Sequence, residues 1–593
     1  MDMKLRYGGD FLTQETKASD IFIPEEFNEE QKMIEQTCYD FLNAEIYPIM
    51  DRIDTNENGL MRSLISKSGE LGLLGISVPD EYGGFEQSYL TVMRANEAIG
   101  GTGSFSVAYM AHTGIGTLPL LYYGNEEQKR KYLPKLVSGE LAASYCLTEP
   151  NAGSDANSGK TKATLSEDGK YYILNGQKMW ITNGGFSDLQ TVFAKIDNDR
   201  VLSAFLVERN TKGVVVNAEE KKMGIKGSST VQIFYNDVKV PVENLLGKRG
   251  EGFRIALNIL HIGRIKLGAT TVGACRRTAS IAVNYANERK QFGALISSFG
   301  AIKHKLAEMV IKTFTNESAV YRASNDVENV IKSYKANGKT YGEANIEANA
   351  RFAVECALLK VFGSEALDFI VDECVQVFGG MGFSSEAAAD RPYRDSRINR
   401  IFEGTNEINR LLVVDTAMKN AMKGDIDLLE KAAELLKNVN KVKAEKPENH
   451  NYYSDKMKFV QNYKKAVLLL TGYIYEKYKK SLSTEHELFI NLSDMMINLY
   501  VAESTILRVE KMETLKLVDS IDLYKDITDV FVYDAGEAIR KAGLDAIYSC
   551  VEKADLETFG NAIKRLTETA PVNVKDARRR IANKLIEDNR YNF

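Results

Sequence analysis

The spacing of the apolar residues changes twice along this chain of 593 residues. From about Asn28 to Leu136 they recur at helical spacing, whereas over residues 145–241 they alternate in twos, as in β-strands. Helical spacing returns at Gly252 and continues into a further helical region at 425–593. Because a chain of this length exceeds what one core can hold, the order indicates separate helical and β units.

The sequence therefore predicts a multidomain α+β protein. Its predicted units are an N-terminal segment at 1–30, an N-terminal α-domain at 31–144, a middle β-domain at 145–250, a second α-domain at 251–424 and an additional α-helical domain at 425–593. The Asn28 and Gln31 pair predicts a capped helix start. Within the β-domain, Asp168-Gly169 and Asn175-Gly176 predict two hairpin turns.

Composition excludes several classes of function. The net charge is −5 and no run of lysine or arginine stands out, so nucleic-acid binding is not expected. No apolar stretch approaches the roughly 20 residues of a membrane span, and the first residues lack the apolar core of a secretory signal. We therefore expect a cytoplasmic protein. The 6 cysteines and 5 histidines are dispersed, so neither a metal site nor a redox dithiol is expected.

Two motifs of the β-domain carry candidate binding groups. The segment "YCLTEPNAGSDANSG" presents the hydroxyls of Thr148 and Ser154 and the backbone of Gly153, which suit a polar ring system or a phosphate. An ordinary polar loop is an equal alternative at this point. In "KMWITNG", Trp180 and Thr182 are two apart on a strand and share a face. A core tryptophan is the alternative there.

Three further motifs lie in the second α-domain. "ERKQFG" places Arg289 near Phe292, and "VQVFGGMGF" combines Gln376 with a glycine pair that suggests a turn approached closely by a ligand. "INRIFEGTNEINRLL" places Glu403 beside Gly404. Glycine is unfavourable within a helix, and a buried carboxylate is costly without a partner. This spot therefore needs both a close backbone approach and a carboxyl group.

Taken together and in this order, the motifs resemble those of the acyl-CoA dehydrogenase family over about residues 30–420. The long helical tail and the segment "EKKMGIKGSST" are most similar to the very-long-chain branch. The resemblance implies an α-domain, a sandwich- or barrel-like β-domain and a second α-domain built as a four-helix bundle. It also implies FAD held between the β-domain and the second α-domain, with contacts shared across a homodimer.

The resemblance assigns roles to individual positions. Implied FAD contacts are Leu147, Thr148, Gly153, Ser154, Trp180, Thr182, Arg289, Gln291, Phe292, Gln376, Gly379, Gly380, Thr405 and Glu407. Implied substrate contacts are Ser154, Arg264, Glu403 and Gly404.

The resemblance makes Glu403 the catalytic base. Removing a proton from the carbon next to a thioester needs a base within hydrogen-bond reach of that carbon. The backbone N–H of Glu403, beside the slim Gly404, would donate to the thioester carbonyl as charge develops on its oxygen. Some family members instead place the base just before the arginine that matches Arg264. Here that residue is Gly263, so the pattern contains one base.

The implied reaction is FAD-dependent α,β-dehydrogenation of a fatty acyl-CoA to the trans-2-enoyl-CoA, as in fatty-acid β-oxidation, with electrons passed to an electron-transfer flavoprotein. The alternatives are an acyl-CoA oxidase that reduces oxygen and a scaffold protein on the same fold. Phe105, Tyr109 and Met110 would shorten the acyl tunnel if they face it. We expect the amphipathic tail to pack on its own subunit and to leave a homodimer without stable membrane attachment.

Overall fold

A computed structural model describes residues 5–448 and 451–593 of the protein, so the first four residues of the predicted N-terminal segment lie outside it. The first half of the chain opens with a helical domain. Its helices are α1 (Glu29–Phe41), α2 (Met50–Asp54), α3 (Leu60–Glu70), α4 (Tyr89–Ile99), α5 (Ser104–Met110), α6 (Leu118–Tyr123) and α7 (Glu126–Val137). The Asn28 side chain accepts a hydrogen bond from the Gln31 backbone N–H, and the Asn28 backbone N–H donates to the Gln31 side chain, which confirms the predicted helix start.

A sheet of eight strands follows. Its strands are β1 (Ala143–Cys146), β2 (Lys162–Leu165), β3 (Tyr171–Thr182), β4 (Leu189–Ile196), β5 (Ser203–Glu208), β6 (Val214–Val216), β7 (Thr230–Pro241) and β8 (Leu245–Leu246). The order across the sheet is β6-β7-β3-β2-β4-β5-β8, with β1 also paired to β4. The β1–β4 and β2–β4 pairs are parallel and the other pairs are antiparallel.

One of the two predicted hairpins is present. Asp168 and Gly169 turn the chain between antiparallel β2 and β3, and Gly169 has φ +69°. The prediction at Asn175-Gly176 was wrong, because these residues lie inside β3 at an irregularity in its pairing with β7. Glycine is required there for space, since a Cβ at Gly176 would lie 2.8 Å from the Thr161 Cα.

Helices return after the sheet. The second α-domain contains α8 (Gly252–Glu288), the short strands β9 (Lys290–Gln291) and β10 (Ala294–Leu295), α9 (Gly300–Ala336), α10 (Tyr341–Arg351), α11 (Ala353–Phe378), α12 (Asp390–Ser396) and α13 (Asn406–Lys423). The long helices α8, α9 and α11 pack against one another and α13 packs on α11, which agrees with the expected four-helix arrangement. The order of helical, β and helical regions confirms the predicted α+β class.

The C-terminal tail is docked, as predicted. Its helices are α14 (Leu428–Lys437), α15 (Tyr452–Tyr478), α16 (His486–Thr514), α17 (Asp522–Cys550), α18 (Leu556–Leu566) and α19 (Val574–Asp588). Helix α16 packs on α9 and α13, and apolar residues of the tail and the second α-domain belong to one continuous core. Within the described ranges, no helix combines the length and the hydrophobicity needed to cross a bilayer.

The N-terminal segment, residues 5–27, joins the second α-domain to the tail. The Gly9 N–H donates to Glu355 of α11, at 2.8 Å. Further along, Glu25 forms an ion pair of 2.6 Å with Arg508 of α16. Sequence patterns did not predict this position, because the segment has no regular apolar period and its partners are more than 340 residues away.

Candidate active site

Glu403 lies on a strained turn between α12 and α13. Its φ is +60°, a conformation that costs a non-glycine residue about 1–3 kcal/mol. Gly404 follows with φ +81°, so two successive left-handed residues form the turn. Thr405 then caps α13 by accepting from the Ile408 N–H, and Glu407 is exposed in the first turn of that helix. The glycine beside the carboxylate is therefore explained by backbone geometry.

Two side chains hold this turn in place. The Asn409 amide donates to the carbonyl oxygens of Glu403, Gly404 and Thr405, at 3.3, 2.8 and 3.0 Å. The Arg264 Nε of α8 donates to the Glu403 carbonyl at 3.0 Å. These bonds offset the backbone strain and fix the direction of the Glu403 side chain.

Glu403 is half-buried, and one of its carboxyl oxygens is shielded from solvent. Its Oε2 atom is buried and has no hydrogen-bond partner within the described chain. Burial raises the pKa of Glu403 to about 7, although the nearby charges of Arg264 and Lys360 lower it. The carboxyl faces α8 at Gly263, where a Cβ would lie 2.7 Å from Oε2. A side chain at position 263 would therefore displace this carboxylate.

Arg264 and its neighbour complete the α8 side of the site. Arg264 is buried, and its guanidinium lies 3.2 Å from Nδ1 of His261. Burial lowers the pKa of His261 to about 3, with a further lowering by Arg264, so this imidazole is neutral at physiological pH. Arg264 is therefore the positively charged member of this pair, and His261 is neutral.

The β-domain meets the same part of α8. Tyr145 and Leu147, at the end of β1, pack in one apolar cluster with Ile262. Burial raises the pKa of Tyr145 well above its usual value, and the charge of Glu403 raises it further. The next residue, Thr148, accepts at its carbonyl from the Met179 N–H at 2.9 Å, which brings Trp180 beside it. These contacts join the predicted β-domain positions to the Glu403 turn.

Trp180 is not a core residue. It is 52% exposed, has φ +61° and lies where the pairing of β3 with β7 shifts between Lys178 and Ile181. Thr182 is partly buried, whereas Ile181 between them is buried. The indole and the Thr182 residue thus lie on the solvent-accessible side of the strand, as the alternation predicted, but the irregularity of the strand was not foreseen.

The loop after β1 is anchored at one end and open at the other. Glu149 forms a buried ion pair of 2.6 Å with Lys178 and accepts from the backbone N–H groups of Lys160 and Thr161. Gly153 and Ser154 are exposed, and a Cβ at Gly153 would meet no atom within 4 Å. The loop therefore presents an accessible backbone on a fixed support.

The remaining predicted cofactor positions form a second group. Arg289, Gln291, Phe292, Gln376, Gly379 and Gly380 are all exposed. Phe292 is 96% exposed, and the nearby Phe383 is 93% exposed. Tyr285 stacks on Phe378 at 3.9 Å between ring centroids, which places the ends of α8 and α11 together. We call the six exposed residues, together with Phe383, the distal group.

The distal group is remote from Glu403 within one chain. Gly263, which faces the carboxyl, precedes Arg289 by 26 residues along α8, or about 39 Å at 1.5 Å per residue. One FAD molecule is shorter than this span. The predicted cofactor residues of a single chain therefore form two separate groups.

A cavity of about 520 Å³ runs beside α8, on the side of Thr270 and Ala274. Met110 lines it, together with Gly100 and Gly103. Phe105 and Tyr109 instead pack in the core of the N-terminal domain, where the Tyr109 hydroxyl donates to the Leu73 carbonyl at 2.7 Å. Of these three bulky residues, Met110 alone therefore lines this cavity.

Sequence reasoning missed several residues that support the site. They are Glu149, Lys178, Lys360, Asn406 and Asn409. Two signals were present: a single lysine in the apolar stretch "CALLKVFGS", and two asparagines three residues apart directly after Thr405. Neither signal distinguishes a buried support from a solvated residue without the tertiary structure.

Comparison with known proteins gives matches to four family models. These are the acyl-CoA dehydrogenase N-terminal domain at residues 28–140, the middle domain at 144–238 and the C-terminal domain at 250–418, with a second acyl-CoA dehydrogenase C-terminal domain model at 462–565. The last match lies within the tail.

Individual relatives and a solved structure agree with these matches. A probable acyl-CoA dehydrogenase of Bacillus subtilis (strain 168) is 42% identical over 584 residues, 98% of each chain. The very long-chain specific acyl-CoA dehydrogenase, mitochondrial, of Homo sapiens is 44% identical over 357 residues, 58% of this chain and 51% of that one. A crystal structure of acyl-CoA dehydrogenase complexed with FAD from Bacillus anthracis matches with a TM-score of 0.95 and 42% identity, over 99% of this chain and 100% of that chain.

Proposed function

Because this chain belongs to the acyl-CoA dehydrogenase family, we propose that it removes one hydrogen from each of the α and β carbons of a fatty acyl-CoA thioester, giving the trans-2-enoyl-CoA. The observation that carries the proposal is the buried carboxyl of Glu403. It combines a pKa near 7, an unpaired Oε2 and a rigid turn. An ordinary structural glutamate would have its oxygens paired.

Glu403 takes the α proton in this proposal. A carboxylate with a pKa near 7 is a stronger base than one with the usual value of 4.5 and is still ionised in a large fraction at neutral pH. The Glu403 backbone N–H has no acceptor among the hydrogen bonds of the described chain. It is available to donate to the thioester carbonyl and to stabilise the charge that develops on that oxygen.

The residues around Trp180 suit FAD. The exposed indole offers an apolar face to a ring system, and the open backbone at Gly153 admits close approach of a polar group. FAD, when bound, supplies the acceptor for the β hydrogen as hydride. Trp180 is the only tryptophan, so its emission should be quenched in the holoprotein and recover when FAD is removed. Unchanged emission would place the flavin elsewhere.

We propose a homodimer in which each FAD is held by two chains. The separation of about 39 Å between Gly263 and Arg289 supports this arrangement, as does the exposure of Phe292 and Phe383 in the distal group. The docked tail would cover the surface through which shorter family members form tetramers. Solution mass should give twice the chain mass of 66.2 kDa, and a tetramer would contradict the proposal.

The acceptor proposed for the electrons is an electron-transfer flavoprotein, and the rival functions are an oxidase and a scaffold. The deciding experiment is the absorbance of the purified holoprotein mixed with acyl-CoA in the absence of oxygen and any acceptor. Bleaching of the flavin supports dehydrogenation, and absence of bleaching with short, medium and long acyl chains supports a scaffold. Peroxide release during turnover in air, at the rate at which acyl-CoA is oxidised, would identify an oxidase.

A further inference from the structure

Lys360 is a buried cation next to the Glu403 turn that the reaction as described does not use. It lies on α11 and is 0% exposed. No carboxylate of the described chain lies within ion-pair distance of its Nζ, which donates to the Asn406 Oδ1 at 2.7 Å. A buried charge without an opposite charge in contact is costly, and an aliphatic side chain would serve packing better. Packing alone therefore leaves this lysine unexplained.

Asn406 connects Lys360 to the turn. It is the first residue of α13 and follows Glu403 by three positions. Its amide nitrogen donates to Ser364 and Glu365 of α11, each at 3.0 Å, while its amide oxygen accepts from Lys360. The start of α13 is thus fastened to α11 on the side opposite Arg264. Loss of these bonds would leave the strained φ of Glu403 less constrained.

The titratable groups that face Glu403 come from three elements, and two of these groups are charged. Arg264 of α8 and Lys360 of α11 are the cations that lower its pKa, against the raising effect of burial. Tyr145 of β1 is uncharged, because its own pKa is raised, and His261 of α8 is neutral. Burial lowers the pKa of Lys360 to about 7, so its charge is present at and below neutrality. The charges of Glu365 and Glu407 raise the pKa of Lys360, but neither carboxylate is hydrogen-bonded to it.

We propose that Lys360 is a positioning residue for the base: it fastens the Glu403 turn through Asn406, and its charge favours the ionised carboxylate. This inference rests on the proposed function, because it assigns Lys360 a role in proton removal. It predicts that replacing Lys360 shifts the pH dependence of the chemical step. Replacing a purely structural residue would leave that pH dependence unchanged.

The test is the rate of flavin reduction by acyl-CoA as a function of pH, measured anaerobically in a single turnover. The variants are Lys360→Met, which removes the charge and the hydrogen bond, and Lys360→Gln, which retains an N–H donor without the charge. Both should move the rising limb of the profile upward by about one pH unit. At pH 6 their rates should fall about tenfold, because the base is then less ionised. Lys360→Met should also be slower on the plateau.

Lys266→Met is the matched control. Lys266 is also buried on a helix of the same domain, its pKa is lowered by burial to about 8, and it is not among the groups that act on Glu403. This variant should keep the wild-type pH profile. In the Glu403→Gln background, Lys360→Met should cause no further loss of the residual rate, since both act through one carboxylate.

Three outcomes have distinct meanings. If both Lys360 variants retain flavin and keep the wild-type profile while Glu403→Gln is inactive, the inference is overturned and the proposed function stands. If Lys360→Met lowers the rate equally in the wild-type and Glu403→Gln backgrounds, its role is structural and the inference fails. If acyl-CoA does not reduce the flavin of the wild-type protein, the proposed function itself fails. Should Lys360→Met not fold, Lys360→Gln carries the same test.

Discussion

Two glutamates of this molecule, the half-buried Glu403 and the fully buried Glu503, differ in how their carboxyl groups are paired. Glu403 lies on the turn before α13, and Glu503 lies in α16 of the tail. Glu503 contacts two cations directly, Lys464 at 2.5 Å and Arg322 at 2.8 Å. Its pKa is therefore lowered although burial acts to raise it. Glu403 has two cations nearby, but its pKa remains raised.

The difference in pKa between Glu403 and Glu503 depends on which atoms accept the hydrogen bonds of the neighbouring cations. Arg264 donates to the backbone carbonyl of Glu403, and Lys360 donates to Asn406, so neither ammonium nor guanidinium neutralises the carboxyl in direct contact. At Glu503 both cations bond the carboxylate itself. For this pair, the carboxyl group without a direct cation contact has the raised pKa, and the one with two direct contacts has the lowered pKa.

The largest expected effect tests the base directly. Glu403→Gln should retain FAD and acyl-CoA binding but lower the rate of flavin reduction at least about 100-fold, because a general base is lost. Absorbance gives the flavin content, and stopped-flow absorbance gives the rate. A variant that reduces its flavin at the wild-type rate would show that Glu403 is not the base.

The second prediction tests Glu503, the glutamate that is paired directly with two cations. Glu503→Gln should destabilise the protein by about 3–5 kcal/mol, because Lys464 and Arg322 lose their shared counter-charge in a buried place. Urea denaturation of the holoprotein measures this. As a control, Glu552→Gln breaks an exposed ion pair with Lys477 and should leave the denaturation midpoint almost unchanged. Equal losses for the two variants would contradict the contrast drawn above.

The third prediction concerns the space in front of the carboxyl. Gly263→Ala places a Cβ 2.7 Å from the Glu403 Oε2, and the flexible carboxyl should move rather than the helix. We expect a rate loss of about 10- to 100-fold with little change in stability, because a small displacement of a base is costly. Gly268→Ala on the same helix meets only ordinary contacts of 3.4 Å and serves as the control.

The smallest effect is the pH dependence of stability, which should have opposite signs at the two sites. Glu403 has a raised pKa, so its ionisation costs stability as pH rises from about 4.5 towards about 7. Glu503 has a lowered pKa, so its stabilisation is lost as pH falls below about 4.5. Relative to wild type, Glu403→Gln should gain about 1 kcal/mol or more by pH 8. Denaturation midpoints at pH 5 and pH 8 test the Glu403 site, and midpoints at about pH 3 and pH 5 test the Glu503 site.

Much of the fold was predictable because long periodic stretches dominate it. The helices of the two α-domains, the β-domain and the docked tail follow from apolar spacing and from faces that need burial. The Asn175-Gly176 signal failed because local turn chemistry cannot reveal that a long partner strand, β7, continues past it. The N-terminal segment was unpredictable because its order comes from distant partners.

The site was predictable in its residues more than in its arrangement. Sequence reasoning named Glu403, Gly404 and Arg264, and the structure brings them together. It did not foresee that Lys360 and Asn406 support the turn, because burial and distant hydrogen bonds leave no local pattern. The distance between Gly263 and Arg289 follows once α8 is known to be one continuous helix. The sequence did not establish that continuity, and the structure does.

The N-terminal segment has a consequence for the order of events during synthesis. Its Glu25 pairs with Arg508, 483 residues further along the chain. At 5–20 residues per second, a ribosome needs about 25–100 s to make that length. Gly9 can bond Glu355 once α11 has emerged, but Glu25 must wait, unpaired, until α16 is made. We therefore expect the segment to dock in two steps, with its Glu25 end closing onto the tail only after α16 has been released.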